Sequence, residues 1–126
     1  MQIGSANASA LSAFGVDMLV RANNIANVNT PGFHARNLSL MTGNRDQGVM
    51  VGLIDTDKTP GPPVPGLVPV NQDGREALAP GYLEGSNTDI AREYVHMIGT
   101  QRAYEANALA VRTVDDMTGM LLDMKI

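Results

Sequence analysis

The fold is decided mainly by residues 87–124, which read NTDIAREYVHMIGTQRAYEANALAVRTVDDMTGMLLDM. Large apolar side chains recur there every three or four positions, as they do along one side of an α-helix. No proline interrupts the segment, which as a helix would extend roughly 55 Å at about 1.5 Å per residue. Residues 86–89 (SNTD) supply capping side chains, and Glu93 suits the positive end of the helix dipole. A periodic helix of this length predicts a partner helix.

The available partner is a second predicted helix over residues 5–28. Its apolar residues also follow helical spacing; they are Leu11, Phe14, Met18, Ala22, Ile25 and Val28. Asp17 and Arg21 are its only charged residues, whereas a surface helix normally carries a charged outer face. We therefore expect a second face of this helix to contact protein as well. The segment Asn27–Gly32, which contains Pro31, predicts a sharp turn where the helix ends.

Residues 33–85 predict turns and short strands rather than a helix. Six of the seven prolines lie between Pro60 and Pro80, and prolines at this density exclude a helix and restrict strands to sheet edges. The best strand candidate is residues 48–55, where apolar side chains occupy both faces. Asn71–Gly74 predicts a turn that would join a short hairpin. Residues 38–47 predict a loop or poorly ordered chain.

The fold class expected from these three parts is α+β. Long N- and C-terminal helices pair as a coiled coil, and a small irregular β-rich insert lies between them. We place the N-terminal helix in residues 1–30, the insert in residues 31–86 and the C-terminal helix in residues 87–126, with both helices forming one axial domain. The shorter N-terminal helix cannot cover the whole C-terminal one, so part of the apolar stripe remains for other subunits.

Composition excludes several classes of function. The chain has 126 residues, a formal net charge of −4 and no cysteine, which argues for one domain without disulfides or thiolate metal sites. Lysines and arginines are scattered, so neither nucleic acid nor an anionic membrane is an expected partner. No segment reaches the roughly 20 apolar residues of a membrane span. No cleavable secretory signal is recognisable at the N-terminus.

No group of residues predicts catalysis, a cofactor or a metal site. His34 and His96, the only histidines, lie in different parts of the chain, and a zinc site needs several ligands at suitable spacing. Asp55–Asp57 resembles the start of a calcium loop, but proline and glycine follow and no glutamate closes the loop. No phosphate-binding loop or nucleophile motif is present. We therefore expect a protein that is not an enzyme and has no cofactor or small-molecule substrate.

Two motifs at opposite ends of the chain are specific. Residues 22–33 read ANNIANVNTPGF, and residues 101–107 read QRAYEAN with the lead-in SNTD at residues 86–89. They resemble the N- and C-terminal signatures of the flagellar rod and hook axial proteins, and they occur in the expected order. The short insert resembles that of proximal rod subunits in this family. The turn NTPGF is closer to that of the other rod subunits.

The resemblance implies a structural subunit of the flagellar basal body. In such proteins the terminal helices pack as a coiled coil around the axis of a hollow rod, the insert faces outward, and torque passes along the polymer. It implies assembly with copies of the chain itself and with other rod proteins, and with the adaptor proteins between membrane ring and rod as further partners. The implied location is the periplasmic rod, reached through the flagellum's own type III export channel without a cleaved signal peptide. An accessory export-apparatus adaptor or cap that binds rod subunits transiently is the alternative.

The residues expected at subunit interfaces are large apolar or amide-bearing side chains on both helices. On the N-terminal helix they are Leu11, Phe14, Met18, Asn23, Asn24, Ile25 and Asn27. On the C-terminal helix they are Tyr94, Ile98, Gln101, Tyr104, Asn107, Val111, Leu121 and Leu122. Asn23 and Asn24 lie inside a helix, where asparagine has low propensity, so we expect them to bond another helix or subunit. Asn27 and Asn29 are also expected to cap the helix end.

Overall fold

The computed structural model describes residues 2–125. Within that range two α-helices flank two antiparallel β-hairpins, so the architecture is α+β. The elements in chain order are α1 (Gln2–Ala26), β1 (Arg36–Thr42), a 3-10 turn (Asn44–Asp46), β2 (Val49–Thr56), β3 (Pro63–Gln72), β4 (Arg75–Glu84) and α2 (Ile90–Asp123). Strand β1 pairs only with β2, and β3 only with β4. The functional division of the chain at residues 30 and 86 stays a prediction.

Polar side chains set the ends of both helices as their spacing predicts. The carboxylate of Asp89 accepts a hydrogen bond from the Arg92 N–H at 3.3 Å and so caps the start of α2. At the end of α1, Asn27 Nδ2 donates to the carbonyl of Asn23 at 2.9 Å. Gly32 then has a φ of 73°, a conformation that glycine adopts without steric cost. The chain therefore leaves α1 through the turn expected there.

The two helices pack side by side and antiparallel. Asp17 of α1 contacts Thr100 of α2, and Arg21, one turn further along α1, contacts Glu93 at an earlier position of α2. The helices have 25 and 34 residues, or lengths of about 37 and 51 Å. Counting from the Asp17–Thr100 contact, the first residue of α1, Gln2, lies opposite about residue 115 of α2. The last turns of α2 therefore have no α1 residues beside them.

The first hairpin corrects the expectation for residues 38–47. Half of that segment, residues 38–42, belongs to strand β1, which pairs with β2 from Arg36↔Thr56 to Thr42↔Val49. The pairing passes from Ser39↔Leu53 to Leu40↔Val51 and leaves Gly52 of β2 unpaired, which marks a β-bulge in β2. Helix α1 packs against both strands. Pairing with β2 and contact with α1 order a segment whose own sequence only weakly favours a strand.

A serine of α1 fastens the tip of this hairpin. Ser9 Oγ accepts a hydrogen bond from the Val49 N–H at 3.1 Å and donates to the Ala6 carbonyl at 2.7 Å. The adjacent Gly48 has a φ of 73°, and a Cβ there would collide with Ser9 Oγ. Gly48 is therefore required both by its backbone conformation and by the close approach of α1.

The second hairpin, formed by β3 and β4, is longer than the short hairpin predicted around Asn71–Gly74, and its pairing has no irregularity. Its register runs from Pro63↔Glu84 to Gln72↔Arg75, so only Asp73 and Gly74 form the loop. Both loop residues have positive φ, 52° and 74°, as a type I′ turn requires. The turn predicted at Asn71–Gly74 is confirmed.

Candidate assembly surface

The contact between α1 and α2 is built around buried charged side chains. We call Asp17, Arg21, Glu93 and Thr100 the buried charge cluster; each is at most 9% exposed. Arg21 Nη1 lies 3.4 Å from Glu93 Oε2 and donates to Asn37 Oδ1 of β1 at 3.2 Å. Thr100 Oγ1 donates to Asp17 Oδ2 at 2.5 Å. One arginine therefore links α1, α2 and β1.

Apolar burial around this cluster is slight. In the described part of the chain the buried apolar residues are Ala10, Ala13 and Ala35. Arg21 Nε lies 3.3 Å from Asp17 Oδ1, but neither atom has a hydrogen-bond partner, so this contact is an ion pair without hydrogen-bond geometry. Two carboxylates thus face one guanidinium in a site largely closed to water. Breaking such an arrangement is costly even when its net contribution to stability is small.

Asn24 differs from the role expected for it. Its side chain is completely buried. Oδ1 accepts from the Arg36 N–H at 2.9 Å, and Nδ2 donates to the Arg36 carbonyl at 2.7 Å. Asn24 therefore bonds β1 of its own chain, and the structure leaves none of its surface for another subunit. Its partner lies twelve residues further on, which local sequence patterns do not reveal.

Asn87 joins three segments beside the start of α2. Its Oδ1 accepts from the Ala35 N–H at 2.6 Å, and its Nδ2 donates to the carbonyls of Asp57 and Thr59 at 2.9 and 2.8 Å. His34 Nδ1 lies 2.9 Å from the same Asp57 carbonyl. Hydrogen bonds from the side chain and backbone of Thr59 lower the pKa of the Asp57 carboxyl group. The sequence suggested Asn87 only as a capping residue.

The remaining residues predicted on α1 stay at least partly accessible. Half-buried positions are Leu11, Phe14, Met18, Ile25 and Asn27. Asn23 is exposed, unlike its neighbour Asn24. Leu19 was not predicted and is 71% exposed. Apart from Asn27, which follows α1, these side chains lie on one helix, and their role in assembly stays a prediction.

Most of the residues predicted on α2 lie at the surface. The exposed ones are Tyr94, Ile98, Gln101, Tyr104, Leu121 and Leu122, and the half-buried ones are Asn107 and Val111. Gln101 Nε2 donates to Glu105 Oε1 at 3.0 Å, and Asn107 Nδ2 donates to the Ala103 carbonyl at 2.8 Å. Both amides therefore already have a partner within α2. The structure spreads these residues along the helix rather than bringing them into one site.

A further apolar stripe runs along the outer side of α2. We call it the outer stripe: it comprises Val95, Ile98, Leu109, Met120 and Met124, all exposed. At about 100° per residue, Val95, Leu109 and Met120 point within roughly 20° of the direction opposite Glu93. Of the five, only Ile98 was expected at an interface. The sequence carried a signal for this surface, since Leu109 and Met120 are 11 residues apart, which is about three turns of a helix.

The long hairpin carries another accessible apolar surface. Leu67, Leu78 and Tyr82 are 58%, 67% and 74% exposed. Leu67 pairs with Pro80, and Tyr82 pairs with Pro65. Since side chains alternate along a strand, these residues share one face of the hairpin. We call this surface the hairpin face.

Residues 2–125 offer neither a metal site nor a membrane span. No group of three or more His, Cys, Asp or Glu side chains in this range is arranged to hold a metal ion. Neither described helix is long and apolar enough to cross a membrane.

Two segments of the chain match known protein families. Residues 6–34 match the family described as flagella basal body rod protein. Residues 79–124 match the family described as flagellar basal body rod FlgEFG protein C-terminal. The matched ranges contain most of α1 and all of α2, the helices that meet at the buried charge cluster. The two matches together cover more than half of the chain.

Similar proteins from three bacteria are parts of the flagellum. The flagellar hook protein FlgE of Caulobacter vibrioides is 44% identical over 55 residues, which cover 44% of this chain and 9% of that protein. The flagellar basal-body rod protein FlgG of Borreliella burgdorferi is 47% identical over 53 residues, 42% of this chain and 20% of that protein. FlgG of Buchnera aphidicola subsp. Acyrthosiphon pisum is 49% identical over 45 residues, 36% and 17% of the respective chains.

These alignments cover a fifth or less of the length of the relatives. The names of the families and of the relatives all denote structural parts of the flagellum, not enzymes. With both terminal segments matched in order and folded against each other, the chain belongs to the flagellar basal-body rod and hook family of structural proteins.

Proposed function

We propose that this chain is a subunit of the proximal rod of the flagellar basal body, of the FlgC type, which assembles with copies of itself and with other rod proteins to transmit torque. The observation that carries the proposal is the arrangement of the two family segments. They fold as adjacent antiparallel helices with only two hairpins, residues 36–84, between them. This compact insert favours a short rod subunit over the hook protein.

The outer stripe supports a role in a polymer. Its side chains lie on the side of α2 opposite α1, so pairing within the chain leaves them in water. A surface of this kind marks a protein contact. A neighbouring helix packed there as in a coiled coil would bury the stripe. Different surfaces used for successive neighbours would give an open helical assembly.

The proposal includes a place in the cell. The subunit would lie in the periplasmic rod and would reach it through the type III export channel without a cleaved signal peptide. Adaptor proteins between the membrane ring and the rod would be further neighbours. In the alternative, an export-apparatus adaptor or cap, the same helices would form a soluble complex of fixed stoichiometry.

Quantitative mass spectrometry of hook–basal bodies from the source bacterium tests the proposal. The chain is expected at a stoichiometric level relative to other rod proteins after harsh washing. Its absence from particles that retain those proteins would refute the rod role. Sedimentation with purified rod proteins separates the alternative, because an adaptor saturates at fixed stoichiometry whereas a rod subunit pellets in growing assemblies.

A pair of variants tests whether incorporation into the basal body depends on the outer stripe. Leu109→Asp places a charge in the stripe and is expected to abolish swimming and incorporation. Arg112→Asp adds the same carboxylate at an exposed position of α2 outside the stripe, and it should leave both largely intact. Normal incorporation of Leu109→Asp would show that the stripe is not an assembly contact.

A further inference from the structure

We infer that Asn24 and Asn87 are positioning residues that couple the two helices to the base of the β1–β2 hairpin and fix the direction in which the strands leave the helices. The two side chains come from segments on opposite sides of the two hairpins in the sequence. One lies in α1, and the other lies just before α2. They bond adjacent residues, since Asn24 holds Arg36 and Asn87 holds Ala35.

Asn24 acts on β1 as a neighbouring strand would. Its amide accepts from the N–H and donates to the carbonyl of the same residue, Arg36, which is the exchange that closes a hydrogen-bonded pair in an antiparallel sheet. Aspartate would keep the acceptor but lose the donor. Glutamine would need space for another methylene in a site with no exposed surface. The position is therefore specific for asparagine.

Asn87 holds both ends of the same hairpin. Ala35 immediately precedes β1, and Asp57 immediately follows β2. The carbonyls of Asp57 and Thr59 can only accept, so they require both N–H groups of the amide, while Oδ1 receives the Ala35 N–H. A primary amide is the side-chain group that provides this acceptor and two donors. The direct bond from the Asp57 N–H to the Ala35 carbonyl, at 2.8 Å, closes the base of the hairpin.

The pair therefore joins α1, the start of α2 and the hairpin into one unit. In the proposed rod subunit, this unit would carry force from the helices to the strands. That last step alone rests on the proposed function. The coupling itself is a property of the folded chain and can be measured without any rod partner.

Spin-label distances test the coupling in the isolated full-length protein. The chain has no cysteine, so labels can be attached at Leu53→Cys on β2 and Arg102→Cys on α2, two exposed positions. In the parent protein the distance distribution between them should be narrow. Replacing both asparagines by alanine should broaden it about twofold, because the hairpin base loses its side-chain bonds.

Matched variants complete the experiment. Asn23→Ala combined with Asn71→Ala removes two exposed asparagines and should keep the parental width. A second label pair within α2, at Arg92→Cys and Asp116→Cys, should stay narrow in every variant. An unchanged α2–β2 distribution in the Asn24→Ala/Asn87→Ala protein would overturn the inference.

A milder change keeps the inference testable if the double variant does not fold. Asn24→Asp removes only the donor to Arg36 and adds charge beside its carbonyl. Exchange of the Arg36 amide hydrogen should then be about tenfold faster than in Asn23→Asp, because the buried carboxylate repels the Arg36 carbonyl and the base of the hairpin opens more often. Equal exchange rates in these two variants would overturn the inference. Because both measurements use the isolated protein without any rod partner, failure of the coupling and failure of the rod assignment are distinguishable.

Discussion

Replacing Glu93 by leucine tests the energetic role of the buried charge cluster. The change removes the carboxylate 3.4 Å from Arg21 Nη1 and leaves a guanidinium that is largely closed to water. Breaking a buried pair in this way costs about 3–5 kcal/mol. Arg21 keeps Asp17 at 3.3 Å and the amide oxygen of Asn37 at 3.2 Å, so we expect the lower end, about 3 kcal/mol.

Urea unfolding followed by far-UV circular dichroism measures this loss. With a denaturant slope of about 1–3 kcal/mol per M, the midpoint should fall by roughly 1–3 M. Glu105→Leu makes the same replacement at an exposed position of α2 and should change the free energy of unfolding by no more than about 0.5 kcal/mol. The slope should be the same in all three proteins.

A triple variant distinguishes a broken ion pair from lost packing. Asp17→Leu, Arg21→Met and Glu93→Leu together leave no charge unpaired, and Thr100 keeps its hydrogen bond to the His96 carbonyl at 3.0 Å. We expect this protein to lie within about 1 kcal/mol of the parent or to be more stable. Two results would refute the reasoning. One is a loss of unfolding free energy in the triple variant that equals the sum of the losses in the three single variants. The other is a cost below about 1 kcal/mol for Glu93→Leu alone.

Three further predictions concern single positions. Gly48→Ala should lower the free energy of unfolding by about 1–3 kcal/mol, measured in urea, because its Cβ collides with Ser9 Oγ at a positive φ; an unchanged midpoint would contradict the close approach. Hydrogen bonds from Thr59 lower the pKa of the Asp57 carboxyl group in the folded state. They therefore stabilise the fold fully at pH values above the ordinary pKa of 3.8, and this stabilisation is lost as the pH falls through the lower pKa of the folded state. The parent should therefore lose stability relative to Asp57→Asn as pH falls from about 5 to about 2, and urea midpoints that shift in parallel over this range would contradict it. Leu122→Ala should leave the monomer within about 0.5 kcal/mol of the parent, because Leu122 is 65% exposed; a loss above about 2 kcal/mol by thermal unfolding would place it in a core.

Local chemistry made several elements predictable. The Asp89 cap, the break after α1 and the Asp73–Gly74 turn each depend on side chains or backbone preferences within a few residues. The strand expected over residues 48–55 is also present as β2, which runs from Val49 to Thr56. Such features survive in the fold because no distant contact competes with them.

The features that were missed depend on distant partners. Strand β1 is ordered by its pairing with β2 and its contact with α1, and its own residues resembled a loop. Asp17 and Arg21 were recognised as the isolated charges of α1, but their burial follows from Glu93 and Thr100, more than 70 residues away. A helix lined by alanine leaves room for such ions, and the expected apolar seam is replaced there by a polar contact.

The prolines of β3 have a consequence for the protein at high concentration. Pro63, Pro65 and Pro69 lie an even number of residues apart while the register with β4 continues through them, so their nitrogens belong on the side away from β4, where a strand tolerates proline. That side lacks the regular row of N–H donors that a second strand needs. Chains crowded together with accessible hairpins therefore cannot extend the β3 edge into a growing sheet.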